Sequence, residues 1–217
     1  QFLTLNGSDL PTDADGRFEV VFGAGPSPAG VADASWFELP PEHCTLIIRQ
    51  FFSDWASEIP ADLHLECVNP EPGTSRMTGE SMIRHLATAA DQVLDRTAFW
   101  ADFGNAHVAR AEVNSFDHVQ AAQGSTSNLG GSVDQGYGQT WYRIADDEAL
   151  LLEVEIPDCV YWGIQLGDVW YQSLDWWDHQ SSLNGHQAVV SADGVFRAVV
   201  AHQDPGTANW LDTTGST

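Results

Sequence analysis

Asp175, Asp178 and His179 stand close together in the chain, beside the pair Trp176–Trp177. Further on, His202 and Asp204 are spaced i, i+2, so one extended face can present both. Asn209, Trp210 and Asp212 follow within reach of the same turn. A histidine among carboxylates suits a general base, a pair of metal ligands, or an imidazole oriented by its acid. Two carboxylates are also the equipment of glycoside hydrolysis, with their separation deciding the mechanism. Tryptophans among Asp, Asn and Gln can instead stack on, and hydrogen-bond, a sugar or another flat polar ligand.

The candidate catalytic residues are therefore Asp175, His179, His202, Asp204 and Asp212, and the candidate ligand-binding residues are Trp170, Gln172, Asn184, Asn209 and Trp210. Each has a plainer role to weigh. Asp and Asn in turns commonly bond their own backbone. A buried Asp–His pair can simply satisfy two polar groups. Two function classes follow. One is a polar, Trp/His/Asp-lined pocket for a small molecule or carbohydrate, with hydrolytic chemistry as its enzymatic form. The other is a non-catalytic structural or assembly module whose aromatic surface makes subunit contacts, as in a homo-oligomer. No motif demands a cofactor; a divalent metal is compatible with the carboxylates. The five catalytic candidates are expected to converge at one end of a sandwich, with Trp170 or Trp210 as a wall, because sandwich loops cluster at its two ends.

The elements that would carry these residues are strands. Residues 140–144, 149–156, 161–166, 187–190 and 195–201 are strand-like runs, punctuated by Asp146-Asp147, Pro157-Asp158, Gly167-Asp168 and Asp193-Gly194. The last two runs should form a hairpin around residues 191–194. Upstream, residues 2–5 and 17–22 look like paired strands about the Asp13–Gly16 turn. Residues 45–52 form an apolar run suited to a strand buried on both faces, with Arg49 interrupting it, and residues 62–68 alternate as a half-exposed strand carrying His64. Short strands with regular turn signals argue for an antiparallel sandwich or barrel.

One segment breaks the pattern. Residues 78–104 carry Met82, Leu86, Ala90, Val93, Leu94 and Trp100 at helical spacing, with Thr78 as N-cap and Glu80 paired to Arg84. Leu86, Ala90 and Val93 should face inward, with a break near Asp95. Residues 105–139, rich in Gly, Ser, Asn and Gln and containing His107 and His118, read as one long loop. The chain is thus read as a single β-rich domain: first strands to 68, a helical lobe over 78–104, the long loop, and C-terminal strands over 140–212.

The composition excludes more than it assigns. Its 217 residues include 31 acids against eight basic residues, all arginine, for a net charge of −23. Such a surface repels phosphate backbones and anionic lipid, so neither nucleic acid nor membrane is an expected partner. No calcium loop, zinc pattern, P-loop, G-x-G-x-x-G, G-x-S-x-G or H-E-x-x-H occurs. Cys44, Cys67 and Cys159 form no C-x-x-C pair; their odd count on strand-like segments favours buried free thiols, with one disulfide and one thiol left over as the alternative. No run has membrane-spanning length and no signal peptide is visible, which leaves the compartment open.

The runs YWGIQLGDVWYQSLDWWDHQSSLN and DGVFRAVVAHQDPGTANWLDTTG, with DADGRFEVVFG and IIRQFFSDWASEIPADL upstream, resemble domain-of-unknown-function family 1214. The likeness covers most of the chain, and HQDPG…NWLDT is its most specific part. It implies a jelly-roll-like β-sandwich, into which the helical segment read above would be inserted to give a mainly β fold, and it implies no reaction. Members of the family have a further N-terminal region and continue past the position of Gly215 into another strand. Neither is present here, so the expectation is a fragment of a longer protein whose sandwich lacks an edge.

Overall fold

The computed structural model describes residues 3–40, 46–68, 77–109, 112–116, 119–121 and 135–216. Among them, short strands form small sheets beside one long α-helix. The chain divides into two units, residues 1–49 with 118–139 and residues 50–117 with 140–217.

In the first unit, β1 (Val21–Gly23) pairs in parallel with β2 (Trp36–Glu38). Gly23 is required there, since a Cβ would come within 2.5 Å of the Trp36 ring. The Asp13 turn forms as expected: its carboxylate accepts the Asp15 and Arg17 N–H groups, and Gly16 sits at φ 77°. The strand pairing expected across it does not form, because β1 takes its partner from further along the chain. Residues 105–139 are not a single loop: the helix runs into them, and β3 (Val119–Ala121) pairs antiparallel with β4 (Gly136–Gly138).

The second unit holds the best-buried part of the molecule. β5 (Ala149–Glu155) lies antiparallel to β8 (Val195–Ala201), whose other edge runs parallel to β9 (Trp210–Asp212). β6 (Gly163–Gln165) and β7 (Ser182–Asn184) form a separate antiparallel pair. β8 alternates inward Phe196, Ala198 and Val200 with outward Arg197, as period-two patterning requires. Leu152, Leu166, Leu174, Leu183, Phe196, Ala198, Val200 and Leu211 make one core, drawn from both sets of strands. On the outer face, Arg197 pairs with Glu153 across the β5–β8 ladder and with Asp193 in the turn.

Three strand expectations are corrected here. The expected 187–190 hairpin with β8 forms only at its turn end, through the antiparallel Val190–Phe196 bridge, because the Asn209 side chain takes the Val189 N–H and the Val189 and Arg197 carbonyls that a longer ladder would use. The turn between them does close, with Gly194 at φ 81° and its N–H bonded to Ser191 O. The sheet is mixed and not purely antiparallel: Asn209 fixes the end of the return from β8, its side-chain amide bonded to Val189 and to Arg197 O while its backbone carbonyl accepts the Val199 N–H. Residues 46–50 and 62–68 are irregular and exposed, and residues 140–144 are irregular though Ile144 is buried, so composition alone did not recruit them into a ladder. Thr45 and Cys44 lie outside the described residues.

The helix α1 (Gly79–Val108) is longer than expected and passes Asp95 without a break. Thr78 caps it through Oγ1 to the Ser81 N–H, and Glu80 pairs with Arg84. Gly104 is no stop signal. A Cβ there would meet Val169 O at 2.8 Å, so this glycine permits close packing. Among the described residues, the ring contacts of α1 lie in its C-terminal third. Phe99, Trp100 and Phe103 form an aromatic group, and Trp100 and Phe103 reach Tyr171, itself against Trp141. The face expected to be buried is instead exposed, Leu86 at 62 % and Val93 at 65 %. Helical spacing identifies a stripe, but only a neighbouring element can cover it.

Candidate functional site

His179 lies on the connection between β6 and β7, and Asp212 ends β9. Their side chains meet: His179 Nδ1 is 2.7 Å from Asp212 Oδ2. Asp212 is held on its other oxygen by the Thr214 N–H, and its own N–H donates to Gln180 O. Gln180 in turn donates to Trp210 O. The 179–181 segment is therefore stitched to β9 on both sides of the dyad. With Nδ1–H facing the carboxylate, the neutral imidazole carries its lone pair on Nε2. Half of the His179 side chain is exposed while Asp212 is mostly covered, so the arrangement is a fixed acid behind an accessible imidazole.

Charge reinforces the geometry. The hydrogen bond to Asp212 raises the His179 pKa above the ordinary histidine value, helped by the Asp212, Asp175 and Asp178 charges and opposed by partial burial. Asp175 is held below the usual carboxylate range, chiefly by the Asp178 N–H and further by the Trp177 N–H and His179. Beside these groups stands an aromatic edge. Trp55, Trp176 and Trp177 are arranged edge to face, at centroid separations of 5.4 and 5.6 Å, and Trp177 is 80 % exposed.

His202 belongs elsewhere. Its Nδ1 is 2.6 Å from Thr213 Oγ1, and its Nε2 donates at 3.4 Å to Ile144 O. It lines a hollow of about 240 Å³ with Asp146, Asp147, Glu148 and Gln203. Asp204 is spent on a turn, accepting the Gly206 N–H. Of the five candidates expected to converge, the described interactions link Asp175, His179 and Asp212. No described bond joins His202 or Asp204 to them: His202 is held by Thr213 and the Ile144 carbonyl, and Asp204 by its own turn. Among the described residues, no three His, Cys, Asp or Glu side chains gather as metal ligands.

The ligand-binding candidates also divide. Asn184 is buried and structural: its amide donates to Phe52 O and Ser53 O, and its carbonyl accepts from His186 and Gln187. Asn209 is buried and anchors Val189 and Arg197. Trp210 donates from its indole to Ala201 O. Trp170 and Gln172 lie exposed in a turn organised by Asp168, whose carboxylate accepts both of their N–H groups. That turn holds Tyr171 at φ 60°.

Sequence reasoning passed over Gln180, Thr213 and Trp55, and none has a motif of its own. It also passed over a second hollow, of about 310 Å³, lined by Ser53, Cys159, Tyr161, Trp162, Gly185 and His186 among others. Asp54 stands 4.0 Å behind His186. Gly185 is demanded there, since a Cβ would lie 2.7 Å from Trp162 Nε1. Cys67 and Cys159 are free, but exposed and not buried as expected, because the segments that carry them join no sheet; Cys44 lies outside the described residues.

The chain is similar to a crystal structure of an uncharacterized protein from Burkholderia cenocepacia, with 31% sequence identity and a TM-score of 0.80. The similarity covers 96% of this chain, which spans 56% of the length of that one. No family model matches, and no curated protein matches. No described helix is long and apolar enough to cross a membrane.

Proposed function

We propose that the second unit binds a small polar molecule, a carbohydrate foremost, at the His179–Asp212 dyad. The observation that carries this reading is the 2.7 Å contact between a half-exposed imidazole and a carboxylate fixed on its other oxygen. Trp177 supplies an exposed aromatic face for stacking against the C–H face of a sugar ring, and His179 Nε2 supplies the directional hydrogen bond. In its hydrolytic form, Nε2 takes a proton from the water that attacks the scissile centre, Asp212 stabilises the imidazolium, and the imidazolium returns that proton to the leaving oxygen as its bond breaks. The same oriented imidazole serves binding without chemistry, as a donor when protonated and an acceptor when neutral.

The strands belong, in this reading, to a jelly-roll-like sandwich of domain-of-unknown-function family 1214. What supports it is the core that β5, β8 and β9 share with residues of the β6–β7 pair, and the position of the HQDPG…NWLDT run along β8's return and β9. The test is a panel of neutral and acidic mono- and oligosaccharides followed by NMR shift perturbation. His179 and Trp177 signals should move together for at least one member, and Trp177→Ala and His179→Ala should each weaken that binding at least tenfold. A panel that moves neither residue, or binding that both variants leave intact, removes the proposal.

A further inference from the structure

The N-terminal two-thirds of α1 has no described partner, and a line of exposed apolar side chains along it follows a two-stranded pattern, with Met82 and Leu94 exposed on its flanks. Ile83, Leu86, Ala90 and Val93 are spaced three, four and three residues apart, so they occupy successive a and d positions of a heptad, with Thr97 at the next a. Ile83 is 70 % exposed, like Leu86 and Val93 beside it. The flanking positions at the middle of this seam are Ala87 and Ala89, small enough for close helix approach. In a chain of net charge −23, the seam itself is uncharged.

We propose that this face is closed by α1 of a second copy, running antiparallel about a twofold axis level with residue 88. The pattern is self-complementary in that sense. Ile83 and Val93 are equidistant from residue 88, and so are Leu86 and Ala90. An antiparallel pair matches a with d, setting Ile83 against Val93 of the second copy and Leu86 against its Ala90. Each layer then combines a larger with a smaller side chain, and a twofold interface repeats the match. A parallel pair would instead set Ala90 against Ala90 and leave a gap in the seam.

Electrostatics favours the same orientation. On the outer flank Arg84, bonded to Glu80 of its own helix, comes level with Asp91 of the second copy, so that edge sets opposite and not like charges alongside one another, twice by symmetry. The helix is rooted in its own unit through Trp100, Phe103 and Gly104. A parallel pair brings both roots, and two highly acidic chains, to one end. The antiparallel pair separates the roots by about 36 Å along the axis at the rise of an α-helix. The surface does not involve His179, so it stands or falls apart from the ligand site.

The test is sedimentation of the chain at micromolar concentration, with cysteine cross-linking to read orientation. The wild-type chain should sediment at twice its 23.7 kDa mass, and Leu86→Asp should halve that mass while retaining the β-sheet circular dichroism. Ala89→Cys should yield a disulfide-linked dimer through residue 89, identified by peptide mass, because this flank meets itself across the twofold. Ile83→Cys should not, since residue 83 meets itself only in a parallel pair. A wild-type monomer, a dimer indifferent to Leu86→Asp, or cross-linking through residue 83 in place of 89 overturns the proposal. Cross-linking still decides the matter if Leu86→Asp fails to fold.

Discussion

Asp212 and Thr213 are neighbours in the chain, yet Asp212 binds His179 Nδ1 at 2.7 Å and Thr213 meets His202 Nδ1 at 2.6 Å. Successive side chains of an extended segment project to opposite sides. Two histidines that look like partners in the sequence are thereby assigned to different surroundings: one half-exposed beside carboxylates and tryptophans, the other between Thr213 and the Ile144 carbonyl.

Replacing Asp212 by Asn should lower the His179 pKa, since the largest cause of its elevation is the bond to that carboxylate. Asp175 and Asp178 should leave a smaller residual elevation. The measurement is the pH titration of the His179 ring proton by NMR. A pKa unchanged by the substitution would assign the elevation to the other acids.

The same group should shape stability against pH. The folded pKa of His179 is raised, so its contribution is fully present below the unfolded value, about 6.5, and is lost as pH rises through the folded value. Asp175 acts oppositely: its pKa is lowered, so its contribution is present above the unfolded value and lost as pH falls through the folded one. Denaturant midpoints collected across pH should show the alkaline-side loss in the native chain and a weaker one in Asp212→Asn.

Leu211 has no exposed surface and packs in the shared core. Leu211→Ala should cost about 2–5 kcal/mol by chemical denaturation. Trp177→Ala, at an exposed position, should change stability by less than about 0.5 kcal/mol, and so can report ligand binding without a folding artefact.

Gly185→Ala should destabilise by about 1–3 kcal/mol through overpacking. The added methyl would collide with the Trp162 indole, which is itself set against Phe196 at a centroid distance of 4.9 Å. Differential scanning fluorimetry with tryptophan emission should show a lower midpoint and a shifted spectrum. A midpoint equal to that of the native chain would mean Trp162 moves aside without cost.

What the amino-acid sequence determined by itself was local. The β8 strand, the Asp13 and Asp193-Gly194 turns, the Thr78 cap and the Glu80–Arg84 pair follow from propensity, glycine geometry and i, i+4 reach, all of which act within a few residues. The site was legible as a segment, because His179 and Asp175 are near in the chain. Tertiary structure alone decided which partner each residue took. Asp212 reaches His179 across 33 positions, Asn184 and Asn209 became anchors because their backbone neighbours needed bonds, and the apolar runs at 46–50 and along α1 stayed exposed. Hydrophobic pattern states which side chains favour burial. Whether a surface arrives to bury them depends on strand pairing and packing between distant segments, which no local spacing encodes.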